Sequence, residues 1–192
     1  MARIIDAVGP YRISYNEPEF GSLVRSIVYQ QLSGKVAAVI FARLLAATGT
    51  PIRPASVLRL TPEQLRAVGL SKQKSLYISD LAAKARSIQF AKLPLMTDEE
   101  VIERLTQVKG VGVWTAHMFL MFSLRRPDVL PVGDLGIRMA IRRAWQMEEL
   151  PSPKQVEAIG ASWRPWCSVA SWYLWRSLEV AAGALDGKPK GL

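Results

Sequence analysis

The chain has one cysteine and one histidine among its 192 residues. Cys167 alone forms no disulfide framework and cannot hold an iron–sulfur cluster or a thiolate zinc site. His117 alone removes any mechanism that needs two histidines, which includes most zinc hydrolases and metalloproteases. Acidic residues are also scarce: 16 Asp+Glu stand against 25 Lys+Arg, a net charge of +9, with a pI near 10.0. That balance suits a polyanionic partner, although a solvated basic surface would carry the same count. Long hydrophobic runs are missing too. The opening MARIIDAVGPYRISY contains no apolar stretch of signal-peptide length, and no later segment is long enough for a bilayer. These absences lead to the expectation of a cytoplasmic protein without membrane contact.

What is present is helical rhythm. At 49% hydrophobic residues the chain can bury a core without staples. In EPEFGSLVRSIVYQQL, Phe20, Leu23, Val24, Ile27 and Val28 recur at three- and four-residue spacing, one stripe of an amphipathic helix. SGKVAAVIFARLLAATG reads as the next helix, with Ser33 as N-cap and Gly49 as its stop. A short helix, a turn at Gly69 and a longer helix follow, and Thr97 with Glu100 forms a capping-box signature. VWTAHMFLMFSL is apolar on nearly every side and predicts a buried central helix. Period-2 alternation is confined to a run near the N-terminus that reads as one short strand. The fold class is all-α, and DGKPKGL (186–192) reads as a frayed tail.

Two short stretches carry chemistry. In VKGVGVWTA (108–116), Gly110 and Gly112 permit a tight turn between helices because glycine tolerates positive φ. The following helix starts with amides that lack intrahelical partners, so the turn can seat a phosphate, helped by Lys109. An ordinary αα-hairpin would use the same glycines. In DVLPVGDLGIRMAI, Asp134 stands at the head of a helix, where aspartate is a favoured N-cap with or without a further purpose. A carboxylate held there suits electrostatic support of a cation, or activation of water, better than general-acid work.

Together, VKGVGVWTA and the loop VLPVGD resemble the helix–hairpin–helix (HhH-GPD) DNA glycosylases, whose signature is a Gly/Pro-rich loop followed by aspartate. The resemblance runs from SIVYQQLSGKVAA through WRPWCSVASWYLW. It implies one two-lobed helical domain over 1–192, with the active site in the cleft between lobes. One lobe would take residues 33–130, including the hairpin 105–116, and the other residues 1–32 and 131–185. Members that also cleave the strand carry a lysine where this chain has Trp114. Indole cannot form a Schiff base, so the resemblance implies a monofunctional enzyme. The missing cysteines exclude the iron–sulfur branch, which leaves the type of DNA-3-methyladenine glycosylase II. Its larger bacterial members carry an extra N-terminal sheet domain; with so little sequence before EFGSLVRSIVYQQL, the expectation here is that a full one is lacking.

The resemblance also implies roles. The partner would be double-stranded DNA containing alkylated bases, bound by a monomer associated with the nucleoid. The loop QQLSG would enter the DNA, with Leu32 as an apolar wedge and Gln31 beside it. Asp134 would be catalytic, stabilising an oxocarbenium-like sugar. Trp114 and Trp175, with Gln31, Met118 and Leu135, would line the pocket of a cationic purine such as 3-methyladenine or 7-methylguanine. Trp163 and Trp166 read as packed core aromatics, and Trp172 is open between core and pocket. Lys109, Gly110, Val111 and Gly112 would grip DNA. No cofactor is expected beyond Na+ or K+ on the carbonyls of Thr106, Val108 and Val111. Arg125, Arg126, Arg138, Arg142 and Arg143 could touch phosphates, while Cys167 and His117 read as structural. The competing reading is a non-catalytic hairpin module that only binds DNA or recognises lesions. A glycosylase for neutral lesions is chemically harder without a visible acid.

Overall fold

The computed structural model describes residues 1–180, and the expected tail 186–192 lies outside the described residues. The described residues are helical, with no strand among them, and divide into two units. None of their helices is long and apolar enough to cross a membrane.

The central unit, Tyr15–Leu124, is one continuous piece of chain. It holds α2 (Phe20–Tyr29), α3 (Gly34–Thr48), α4 (Pro54–Leu58), α5 (Pro62–Ala67), α6 (Lys72–Ile88), α7 (Asp98–Thr106) and α8 (Val113–Phe122). A 3-10 turn over Phe90–Leu95 links α6 to α7. The expected stripe of α2 is the buried one: Phe20, Leu23, Val24, Ile27 and Val28. Ser33 caps α3, and Gly49 ends it at φ 86°. Thr97 and Glu100 satisfy one another's backbone amides at the head of α7, at 3.2 and 2.7 Å. Phe90 stands edge-on to both Phe20 and Phe119, with ring centroids 6.2 and 6.3 Å apart. In α8, Ala116, Phe119, Leu120 and Met121 are buried as expected, whereas Val113 and Trp114 in its first turn face solvent.

The terminal unit joins Met1–Ser14 to the chain from Arg125 onward. It contains α1 (Ala2–Val8), α9 (Leu135–Ala144), α10 (Pro153–Gly160) and α11 (Cys167–Ser177). Its core is Ile4, Ile137, Ala140, Ile141, Val156, Trp172, Tyr173 and Leu174. Tyr11 meets the Trp172 ring edge-on at 4.9 Å, and the Tyr173 hydroxyl donates to the Gly9 carbonyl at 3.1 Å.

Three expectations change. The N-terminal run forms α1 and not a strand, because Met1, Ile4, Ala7 and Val8 pack on one core while Ile5 is exposed. That spacing is helical. The boundaries between units fall at 14/15 and 124/125, not at 32 and 130, since α2 buries its stripe in the central unit. Trp166 is 60% exposed and belongs to no core. Trp163 does pack against the terminal core, tilted against Trp145, and Trp172 is a core residue.

Candidate active site

In the terminal unit, the chain turns at Pro131, whose carbonyl accepts the Asp134 amide at 2.9 Å. Asp134 is then the N-cap of α9. Its Oδ1 accepts the Ile137 amide at 2.8 Å and the Trp175 indole N–H, also at 2.8 Å. Two donors from different helices therefore fix the carboxylate, and the positive end of α9 faces it. The resemblance implies a pocket wall at Trp175; what the structure shows is its indole N–H orienting the aspartate. Gly136 makes this contact sterically available. A Cβ there would lie 3.0 Å from Trp175 Cδ1 and 3.1 Å from Asp134 Oδ1. Leu135, beside the carboxylate, is 57% exposed. No group of three or more His, Cys, Asp or Glu side chains among the described residues could hold a metal ion.

In the central unit, the glycine turn joins α7 to α8. The Val111 amide donates to the Val108 carbonyl at 3.0 Å, and both residues are buried. Gly110 is at φ +79°, and a Cβ there would collide with the Tyr77 ring. Gly112 differs from the expectation of a second left-handed glycine. It is the N-cap of α8 at φ −93°, which any residue adopts, and a Cβ would meet nothing within 4 Å. Lys109, Gly110 and Gly112 are all exposed. The Thr106 hydroxyl donates back to the Ile102 carbonyl at 2.8 Å. Trp114 is 49% exposed, and Met118 is half-buried one turn further along α8.

The same unit carries the QQLSG loop. Gln31 is left-handed at φ 55°, an uncommon state for a residue with a Cβ. Leu32 beside it is exposed, so it is not part of the α2 stripe.

Sequence reasoning missed the polar face of α6 that holds these two loops. The Lys74 ammonium donates to the carbonyls of Val28 and Gln30 at 2.7 and 2.6 Å. Gln30 Nε2 donates to the Gly110 carbonyl at 3.0 Å and reaches the Thr115 hydroxyl at 3.4 Å. Asp80 Oδ2 accepts the Lys109 amide at 2.8 Å and the Lys84 ammonium at 2.9 Å. Lys84 also donates to the Gln107 carbonyl at 2.6 Å. Burial opposes the Asp80 charge, but the Lys109 amide and Lys84 outweigh it and hold the carboxyl below its usual range. Positions 74, 77, 80 and 84 share one helical face, a signal the sequence did contain. Gly136, a lone glycine in the first turn of a helix, was another.

Of the two residues read as structural, Cys167 is buried and His117 half-buried. Burial, then the Asp128 carboxylate, pushes the Cys167 thiol up to about 12, far from the range of a reactive thiolate. Burial also lowers the His117 pKa, against a smaller opposing effect of Asp98. Two candidate phosphate contacts are engaged elsewhere: Arg138 donates to the Pro151 carbonyl, and Arg143 to those of Ser177 and Val180.

Comparison with known proteins adds the following. Residues 24–165 match the model of the HhH-GPD superfamily base excision DNA repair proteins. DNA-3-methyladenine glycosylase 1 of Schizosaccharomyces pombe is 34% identical, over 98% of this chain and 86% of that protein. A putative DNA-3-methyladenine glycosylase of Bacillus subtilis is 31% identical over 83% of this chain, which spans only 59% of that protein's length. Among solved structures, a S. pombe 3-methyladenine DNA glycosylase in complex with abasic DNA superposes with a TM-score of 0.82 at 33% identity. That match covers 94% of this chain and 91% of the other. A Bacillus halodurans DNA-3-methyladenine glycosidase gives 0.80 at 37% identity, over 92% and 84%.

Proposed function

The chain belongs to the HhH-GPD superfamily of base excision DNA repair proteins, and from that premise we propose a monofunctional DNA glycosylase for alkylated purines. It flips 3-methyladenine or 7-methylguanine out of duplex DNA and hydrolyses the N-glycosidic bond, leaving an abasic site. The observation that carries this reading is the Asp134 carboxylate, held by the head of α9 and by the Trp175 indole. A protein that only bound phosphates would gain nothing from a fixed anion.

The base already carries a positive charge, so it leaves with the bonding electron pair as a neutral purine and needs no general acid. What remains to be stabilised is the cationic sugar, and a fixed carboxylate does that without reorganising. Water then adds to C1′ and gives up its proton to Asp134 or to solvent. Trp114 in the central unit and Trp175 in the terminal unit each offer a ring face that attracts a cationic base by about 0.5–2 kcal/mol. Gln31, Met118 and Leu135 are proposed as further contacts to the base. With tryptophan at 114, no amine stands there to form a Schiff base, and strand cleavage does not follow.

On the DNA, the exposed Gln31–Leu32 tip enters the stack, while the amides of Gly110 and Gly112 with Lys109 grip a phosphate. The carbonyls of Thr106, Val108 and Val111 are uncharged, hard oxygen donors that bring no charge to offset a divalent ion, and Na+ or K+ is proposed there. The enzyme works as a monomer on DNA within the cell, away from membranes.

The test is chromatographic identification of bases freed from methylated DNA by wild type and Asp134→Asn. Asparagine keeps the N-cap and loses only the charge. The variant is expected to release no base while binding DNA within a few-fold of wild type. Near-normal release by the variant sinks the assignment, and no release by wild type leaves a binding module.

A further inference from the structure

We propose that Gln30 and Lys74 are positioning residues that tie the Gln31–Leu32 tip to the glycine hairpin. The grip on a phosphate then sets how deeply the tip enters the duplex. The inference rests on the reading above, in which the tip enters DNA and the hairpin holds phosphate.

Both segments are exposed: Gln31, Leu32 and Ser33 on one side, Lys109, Gly110 and Gly112 on the other. Exposed loops with little buried surface are ordinarily the first parts of a fold to open. Here directional bonds add to the burial of Val108 and Val111 beneath the hairpin. Gln30, the residue immediately before the tip, donates its side-chain amide to the carbonyl of Gly110, at the apex of the hairpin. Lys74 closes the other side by bonding the carbonyls of Val28 and Gln30, at the end of α2. Those carbonyls lie past the last intrahelical donors, and an ammonium there also opposes the negative end of the helix. Below Lys74 on the same face of α6, Tyr77 packs against Gly110. Asp80 and Lys84 then hold Lys109 and Gln107. One face of one helix thus anchors the exit of α2 and the whole turn between α7 and α8.

Such bracing has a use beyond stability. Extruding a nucleotide requires the gap to be filled while the adjacent backbone is held, and two loose loops would lose orientational freedom at each encounter. A pre-set distance between them removes that cost.

The experiment compares wild type, Gln30→Met, Lys74→Met, Lys74→Arg and the tip double variant Gln31→Ala/Leu32→Ala. Four quantities are read: Tm, affinity for undamaged duplex, fluorescence of 2-aminopurine placed at the target, and single-turnover base release from methylated DNA. Gln30→Met is expected to melt with wild type and to bind undamaged duplex within about threefold, because its bond is exposed and the hairpin remains. Its flipping signal and release rate should both drop at least about fivefold. Lys74→Met should show the same split, and Lys74→Arg should recover most of it. If Lys74→Met unfolds, Gln30→Met decides. Wild-type flipping and release by folded Gln30→Met overturn the inference and leave the glycosylase reading intact. A loss of undamaged-duplex binding equal to the loss of release also overturns it. Wild-type flipping by the tip double variant removes the tip's role itself, and the inference with it.

Discussion

The two glycines of the hairpin look alike in sequence and should respond in opposite ways to a methyl group. Gly110 is at φ +79°, with the Tyr77 ring where a Cβ would go. Alanine in a left-handed conformation costs about 1–2 kcal/mol, and moving a packed ring adds about 1–3 kcal/mol. For a chain of this size each kcal/mol lowers Tm by roughly 2–4 °C. Gly110→Ala should therefore melt roughly 4–20 °C below wild type. Gly112 is extended, with open space around it, so Gly112→Ala should lose only about 0.5 kcal/mol, the difference between glycine and alanine at an N-cap. Its methyl group would, however, stand between the first amides of α8 and any phosphate that approaches them. We expect about tenfold weaker binding of abasic-analogue duplex, equivalent to about 1.4 kcal/mol. The assay is thermal melting alongside fluorescence anisotropy at fixed salt. Full DNA affinity in Gly112→Ala would refute the phosphate seat, and a Tm loss matching that of Gly110→Ala would refute the steric argument.

Trp175→Phe keeps an aromatic face and deletes the bond to Asp134, so release of 3-methyladenine should slow about tenfold or more with DNA affinity retained. Gly136→Ala should slow release in the same direction with the indole present, because its methyl group crowds the ring and the carboxylate at 3.0 and 3.1 Å; wild-type rates in both would show that the bond does not matter. His117 resists protonation in the fold, so the unfolded chain takes up its proton first as pH drops. Stability is then lost below pH 6.5 until the folded histidine itself titrates. Wild-type Tm should accordingly decrease between pH 7.5 and 5.5 by more than that of His117→Gln, and identical slopes would contradict this.

Much of this was legible because it is written locally. The stripe of α2, the caps at Ser33, Thr97 and Asp134, and the stops at Gly49 and Gly69 each depend on residues within one or two turns. What escaped is long-range. Gln30 meets Gly110 eighty positions away, and Lys74 meets Val28 across forty-six; periodicity carries no record of such pairs. Trp166 misled for a related reason: four tryptophans within thirteen residues suggested one cluster, but the turn into α11 leaves that ring outside. The N-terminal run was too short for its period to be read, and only packing against α11 shows which face is buried. Residue type alone points to a left-handed Gly112, whereas its backbone angle makes no demand for glycine.

The way the chain is divided orders events during synthesis. The unit bearing the hairpin is contiguous and can close once residue 124 has left the ribosome. The unit bearing Asp134 is assembled from both ends, and Tyr11 must wait for Trp172 and Gly9 for Tyr173. A nascent chain stalled between those points would hold its hairpin finished, with the aspartate not yet braced by α11. Translation therefore completes the glycine hairpin before it completes the support of the carboxylate.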